Sequence, residues 1–380
     1  GSEMCIRDRY LYDPGLFFDE DGKVYVVHGQ GTLYLTELNS DVKSVKGKPV
    51  KIWQGGFKNA HELGGGFGME GSHMYRINGK YYITCPAGGT GGWQICLRSD
   101  NIYGPYEHKL IMNDWSSYPE NGLHQGGMVQ LKNGDWWFMI MQDRGPIGRV
   151  PCLVPVKWID GWPMLGDEGK DLITYPKPAT GKKSKIKSPA TTDEFNASQL
   201  GLQWQWNHNP DNSRWSLKER KGYMRLYASQ ASTLKDARNT LTQRVQGPSC
   251  EGSVEMEVTG LKDGNIAGFG IFEFPYAYVA IRQESGRRKI VMCNDGKDIE
   301  TVEHFNGDKL WIRVRATDKE FKALFYYSLD GVNYKRIGNE LQMGLGLPWT
   351  ANRFALFNFN TTPQGNNGYA DFNWFRFTNK

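Results

Sequence analysis

Apolar residues fall in short alternating runs along the whole chain, and the runs break at glycine-containing pairs. Three stretches of the first half share one layout: Asp13-PGLFFDEDGKVYVVHG, Glu70-GSHMYRINGKYYITCPAGG and His124-QGGMVQLKNGDWWFMIMQD. Each opens on a titratable residue and runs through an apolar strand. Each then turns at Asp-Gly or Asn-Gly and returns through a strand rich in aromatics. Such pairs between alternating runs specify tight hairpins. The opening residues stand 57 and 54 positions apart. A period of roughly 50 residues with several short strands per unit marks propeller blades. Equivalent positions on innermost strands face the central axis, so Asp13, Glu70 and His124 are expected to converge on one funnel. Taken singly, each has a plain alternative: a turn residue before Pro14, a surface carboxylate, a satisfied core imidazole. Their shared register favours the funnel.

Three units are fewer than the four or more blades that close a ring and hide its edges, so the spacing implies further blades upstream. From about Thr191 the pattern changes to longer alternating strands, among them GSVEMEVTGL, GFGIFEF, YAYVAIRQ, KLWIRVRATD, RFALFNFN and ADFNWFRF. These predict a β-sandwich over 191–380. The expected order is thus an all-β chain: about three blades over 10–173, a linker over 174–190, then the sandwich.

Composition supports this. The 380 residues include 46 glycines and 13% aromatics, suited to many turns and two sizeable cores. The net charge of +5 is mild. The one basic run, Lys182, Lys183, Lys185 and Lys187, is interleaved with Pro, Gly, Ser and Thr, which reads as a solvated linker rather than a nucleic-acid or membrane patch. None of the six cysteines forms a Cys-x-x-Cys pair, which argues against zinc and for inert buried thiols. No stretch is long and apolar enough for a spanning helix. The glycine-rich GGTGG and LGGGFG precede no helix pattern, which argues against nucleotide binding.

Residues 1–9 stand apart. Met4-Cys5-Ile6-Arg7-Asp8 back-translates to ATG TGT ATA AGA GAC, the core of a transposon end used in DNA library preparation. We therefore expect natural sequence to begin near Tyr10, with any leader lost upstream.

At this point the chain resembles a family. YDPGLFFDEDGKVYVV, MEGSHMYRINGKYYIT, LHQGGMVQLKNGDWWFM and IGRVPCLVPVKWIDGWPML occur in the order and spacing of the five-bladed β-propeller enzymes of glycoside hydrolase family 43, from Tyr10 to about Asp171. That family includes β-xylosidases, α-L-arabinofuranosidases and arabinanases. DEFNASQLGLQWQWNHNPDNSRWSL and GYADFNWFRF resemble the concanavalin A-like C-terminal domain of β-xylosidases. The resemblance implies an inverting glycosidase acting on xylo- or arabino-oligosaccharides of hemicellulose. By position, Glu70 matches the general acid, Asp13 the carboxylate that tunes the acid, His124 an axial histidine that in some relatives approaches calcium through water, and Arg149 the arginine that binds the sugar. The types suit the chemistry. A general acid must hold its proton near neutral pH, a neighbouring carboxylate raises its pKa, and arginine grips hydroxyls with fixed geometry. The family's general base, on a first blade in a short Asp-Pro motif, has no counterpart here, so the chain itself is expected to be inactive. The competing readings are a non-catalytic sugar-binding protein and an arabinanase.

Weaker expectations complete the set. Trp93 either lines a sugar subsite or packs in the core. Asp143-Arg144 lies near the funnel or locks a blade. His28 is structural. The sandwich binds polysaccharide through Trp204, Trp206 and Trp215, or buttresses the propeller and shapes its pocket. No cofactor is required, though calcium has candidate positions near His124 and near Glu194 and Asp371. A periplasmic or secreted location suits the resemblance.

Overall fold

A computed structural model describes residues 11–54, 68–113, 121–170, 174–179, 181, 185, 187–344, 350–362 and 367–379. The expectation for residues 1–9 falls outside them. Among the described residues there is no α-helix, only strands and two 3-10 turns. The chain divides into two compact units: 1–143 with 150–184, and 144–149 with 185–380.

The first unit holds three four-stranded antiparallel sheets, each running in sequence order from its innermost strand outward. The first is β1 (Gly15–Phe18), β2 (Val24–His28), β3 (Thr32–Leu38) and β4 (Val50–Gln54). The second is β5 (His73–Ile77), β6 (Lys80–Ala87), β7 (Trp93–Ser99) and β8 (Glu107–Met112). The third is β9 (Leu123–Gln130), β10 (Trp136–Asp143), β11 (Arg149–Ile159) and β12 (Trp162–Leu165). These are three propeller blades. The expected hairpins stand, with Gly22, Gly79 and Gly134 each in the left-handed region at the turn, where glycine carries no Cβ penalty.

The blades pack face to face through side chains of one parity. Phe17, Val27 and Leu35 of the first blade meet Met74, Ile83 and Ile95 of the second in one core. Tyr82 and Cys96 of the second meet Met128, Phe138 and Val154 of the third in another. The opposite parity at both ends of the row is apolar yet exposed: Leu16 and Phe18 on β1, Val129 and Met139 on β9 and β10. A sheet apolar on both faces has the pattern of an internal layer.

His28 is structural as expected. It is buried, hydrogen-bonded through Nε2 to Thr36 Oγ1 at 3.0 Å and stacked on Tyr34. Burial lowers its pKa. The sign follows directly: the unfolded imidazole takes up a proton below about 6.5 while the folded one resists it. Its contribution is therefore complete above about pH 6.5 and is lost as pH falls through the lower folded value. The urea midpoint of the first unit should fall more between about pH 7.5 and about pH 5.5 in the parent than in His28→Gln. Equal falls would remove His28 from the pH dependence.

The second unit is a sandwich of two eight-stranded sheets. Strands at Asn265–Phe272 and Arg353–Asn360 face strands at Ser249–Glu257 and Tyr369–Asn379 across one core. At its centre the rings of Phe269, Phe354 and Phe375 lie 5.7 to 5.9 Å apart. Asn265–Phe272 is buried on both faces, because Leu234, Tyr276 and Phe357 form a second apolar layer on its other side. Of the expected linker, 174–179 and 187–190 carry no strand.

Trp204 corrects the expectation of a surface aromatic. It is buried, stacks on Phe195, and donates its indole N–H to Asp193 Oδ2 at 2.8 Å. Trp206 and Trp215 are half-buried, their rings 5.2 Å apart. Cys85, Cys96, Cys250 and Cys293 are buried and form no disulfide among the described residues, and Cys152 is half-buried. Burial pushes the Cys85 thiol up to about 12 and the Cys250 thiol up to about 11. Thiolate chemistry at these two is therefore suppressed near neutral pH.

Candidate active site

The entries to the three innermost strands lie side by side. A Cβ added to Gly15, on β1, would come within 1.9 Å of the Ser72 carbonyl oxygen just before β5. One added to Gly71 would come within 2.7 Å of Gln125 Nε2 on β9. This places the segments carrying Asp13, Glu70 and His124 together, as the repeat register required. Backbone strain collects at the same place. Asp13 (φ 42°), Met69 (φ 57°) and Gln125 (φ 56°) are all non-glycine residues in the left-handed region, a conformation that persists only where surrounding structure enforces it and that clusters at functional sites.

Glu70 sits between two left-handed residues, Met69 and Gly71. Met69 is fully buried, receives the Trp53 indole N–H on its sulfur at 3.3 Å, and donates its own N–H to Pro86 O at 2.6 Å. The preceding Gly68 accepts from Gly31 N at 2.9 Å. The backbone below Glu70 is thus fastened to both neighbouring hairpins, while its carboxylate remains half-exposed. Gln30 Nε2 donates to Glu70 Oε2 at 2.7 Å and lies 3.3 Å from Tyr12 OH. Asp13 is exposed beside Tyr12.

His124 is buried, its Nδ1 3.1 Å from Gly122 O and its Nε2 3.5 Å from Asp143 Oδ2. Asp143, at the end of β10, is itself only 1% exposed. This contact is compatible with both sequence readings of Asp143. Gln125 N donates to Gln94 Oε1 at 2.8 Å, and Gln94 is fully buried. Ser72 Oγ, Trp93 Nε1 and Gln94 Nε2 are buried without a partner among the described residues. Such groups accept water or ligand hydroxyls readily. Trp93 is 8% exposed and packs in the core between the first two blades, its ring against Gly88. The core half of its two readings is the one realised, and little ring is left for a sugar to stack on. Gln30, Gln94 and Asp143 are site neighbours that the repeat did not single out, because they sit on return strands and loops away from the aligned openings.

Arg149 begins β11 and is half-buried, directly after Gly148 at φ 76°. It falls within the second unit, with residues 144–149. There, Pro146 O accepts from Asn352 N at 2.7 Å, and Ile147 O accepts from Arg244 Nη2 at 2.7 Å.

At the candidate calcium position near Glu194 and Asp371, both carboxylates pair with arginine. Asp371, 2% exposed, is held by Arg225 Nε and Nη2 at 2.7 and 2.8 Å and by Arg220 Nη1 at 3.0 Å. Glu194 pairs with Arg376 at 3.1 Å. The guanidinium groups compete with a metal for these carboxylate oxygens and oppose its positive charge. Among the described residues no cluster of three or more His, Cys, Asp or Glu is arranged to hold a metal ion.

Comparison with known proteins agrees with this arrangement. Residues 4–163 match the profile of the glycosyl hydrolases family 43, and residues 192–378 match the beta xylosidase C-terminal concanavalin A-like domain. A beta-xylosidase of Formosa agariphila is 30% identical over 98% of the chain and 71% of its own length. A solved bifunctional GH43-CE protein of Bacteroides eggerthii superposes with a TM-score of 0.86 at 38% identity, covering 98% of this chain and 49% of its own. A relative from Xylanibacter ruminicola is 33% identical over 88% of the chain, which spans 62% of that protein's length. With propeller blades, sandwich and both family profiles in one order, the chain belongs to glycoside hydrolase family 43 and carries that family's concanavalin A-like C-terminal domain.

Proposed function

We propose that the chain carries part of the site of an inverting glycoside hydrolase that releases xylose or arabinose from hemicellulose oligosaccharides. The observation that carries this reading is the fastened, half-exposed carboxylate of Glu70 at the meeting point of three strand entries. Glu70 donates its proton to the leaving glycosidic oxygen. Gln30 orients the carboxyl group. Asp13 tunes it electrostatically, and His124, braced by Asp143, shapes the axis beside it. The buried Ser72 Oγ, Trp93 Nε1 and Gln94 Nε2, unpartnered among the described residues, suit ordered water beneath the site. Arg149 carries over from the family resemblance as a sugar-binding group.

In an inverting enzyme a second carboxylate, about 6.5–9.5 Å from the acid, must activate the attacking water. No residue of this chain matches that base. We therefore expect the 380-residue chain to release nitrophenol from aryl β-xyloside and aryl α-L-arabinofuranoside far more slowly than a family member that carries such a base. The test runs the chain beside Glu70→Gln on both substrates. Turnover in the parent and not in the variant would retain Glu70 as the acid and overturn the missing base. Equal turnover in both would remove Glu70 from the reaction. The sugar preferred by an active form names the specificity. A non-catalytic sugar-binding role is the second reading. It would show as oligosaccharide binding that Glu70→Gln leaves unchanged.

A further inference from the structure

A cleft of about 400 Å³ opens on the sandwich unit, walled by Gln283, Arg287, Arg288, His304 and Asn306, with Phe305 at its base. Its walls are fixed by backbone. Ser285 (φ 48°) and Gly286 (φ 71°) form a two-residue left-handed turn that sets Gln283 opposite Arg288 across the hairpin. Gly286 N donates to Asp263 Oδ1 at 2.8 Å, which pins the turn. Phe305 N donates to Arg288 O at 2.9 Å, which pins the second wall against the first. Phe305 is buried, so in this extended segment its neighbours His304 and Asn306 project to the opposite, open side.

The chemistry of the cleft is cationic and polar. Arg288 is already oriented: Nε donates to Gln283 Oε1 at 3.1 Å and Nη1 to Gly307 O at 3.2 Å, leaving Nη2 without a partner among the described residues. Arg287 and His304 are exposed, and their side chains have no hydrogen bond or ion pair to any described residue. Of the nearby carboxylates, Glu284 and Asp263 are engaged elsewhere and Asp308 makes a long ion pair with Arg288. Glu284 pairs with Lys289 at 3.1 Å, Asp263 caps the turn, and Asp308 lies 3.8 Å from Arg288 Nη1. Arg287 and Arg288, successive residues of one strand, both line the opening, and a guanidinium group there suits a carboxylate, which it binds through charge-assisted N–H donors. The two amides and the imidazole add donors and acceptors suited to hydroxyl groups. The volume exceeds what a bare anion fills and lies in the range of small-ligand sites.

We propose that this cleft binds a saccharide bearing a carboxylate, a uronic acid unit, with Arg287 and Arg288 on the carboxylate and Gln283, His304 and Asn306 on the ring hydroxyls. The saccharide part rests on the glycosidase reading above; the requirement for negative charge rests on the cleft alone. A chain that acts on branched hemicellulose would then hold acidic branches on its sandwich unit.

The experiment is calorimetric titration of the full chain with three probes: a xylo-oligosaccharide carrying a glucuronic acid branch, the same oligosaccharide unbranched, and inorganic phosphate. Arg287→Ala and His304→Ala serve as variants, both at exposed positions, with thermal melts confirming that they fold. The expected result is binding of the branched probe that weakens as salt is raised and becomes about tenfold weaker in Arg287→Ala. Equal affinity for the unbranched probe overturns the proposal. So does phosphate binding as tightly as the branched sugar, which would mark a plain anion site, or an affinity unchanged in Arg287→Ala. Because the readout is binding, it stands or falls separately from aryl glycoside turnover.

Discussion

Asp371→Ala is expected to destabilise the sandwich unit by about 3 kcal/mol, enough to lower its melting midpoint by roughly 10 °C. The carboxylate is 2% exposed and accepts three hydrogen bonds from Arg225 and Arg220. Its loss leaves two guanidinium groups, already packed over the rings of Tyr369 and Tyr223 at 3.8 and 3.7 Å, short of their shared counter-charge. Removing one partner of a buried pair costs far more than the pair contributes net, because the other charge stays desolvated. The figure is set at the low end of the range for such losses. Arg220 keeps Glu257 at 2.9 Å, Arg225 keeps Glu219 at 3.3 Å, and neither arginine is fully buried. Glu194→Ala is the control: its pair with Arg376 is half-exposed on both sides and should move the midpoint by less than about 0.5 kcal/mol. Equal small effects in both variants would show that the Asp371 network is no stronger than a surface pair. A loss reproduced by a calcium chelator in the parent would return Asp371 to the metal role that its arginines argue against.

Gly15→Ala is expected to cost the propeller unit about 3 kcal/mol, near the upper end for overpacking. The added methyl meets the Ser72 backbone oxygen at 1.9 Å and Val27 Cγ1 at 3.2 Å. No rotamer change relieves a collision with a carbonyl, so β1 must move away from the entry to β5. Ser72 is two residues from Glu70, and the displacement reaches the platform below that carboxylate. Gly22→Ala separates this effect from glycine's backbone freedom. Gly22, unlike Gly15, is in the left-handed region, at φ 83°, and nothing lies within 4 Å of its would-be Cβ, so its cost should be about 1 kcal/mol. A denaturant series on the two variants reads the difference. Equal losses would mean that the close approach of the first two blades does not limit the packing.

The sequence carried the architecture because strand periodicity and turn chemistry are local. Alternation set the parity that buries Phe17 and Val27 and exposes Leu16 and Phe18, and Asp-Gly and Asn-Gly set the hairpins. The repeat carried further: a common register on innermost strands is a statement about three dimensions, and it brought the entries of Asp13, Glu70 and His124 to one place. The same logic found nothing for Gln30 or Gln94 and left Asp143 with two readings. They lie on connecting or return segments, where no internal repeat aligns them.

Burial and partner choice were decided only in the folded chain. Trp93 and Trp204 look alike in sequence to tryptophans that stack on sugars, yet both are packed inside, because the faces that cover them come from distant strands. Asp371 reads as a candidate calcium ligand until Arg220 and Arg225, about 150 residues away in sequence, occupy its oxygens. Alternation and turns depend on neighbours within a few residues and so are written along the chain. Desolvation and ion pairing depend on which surfaces meet, and only the tertiary structure brings those surfaces together.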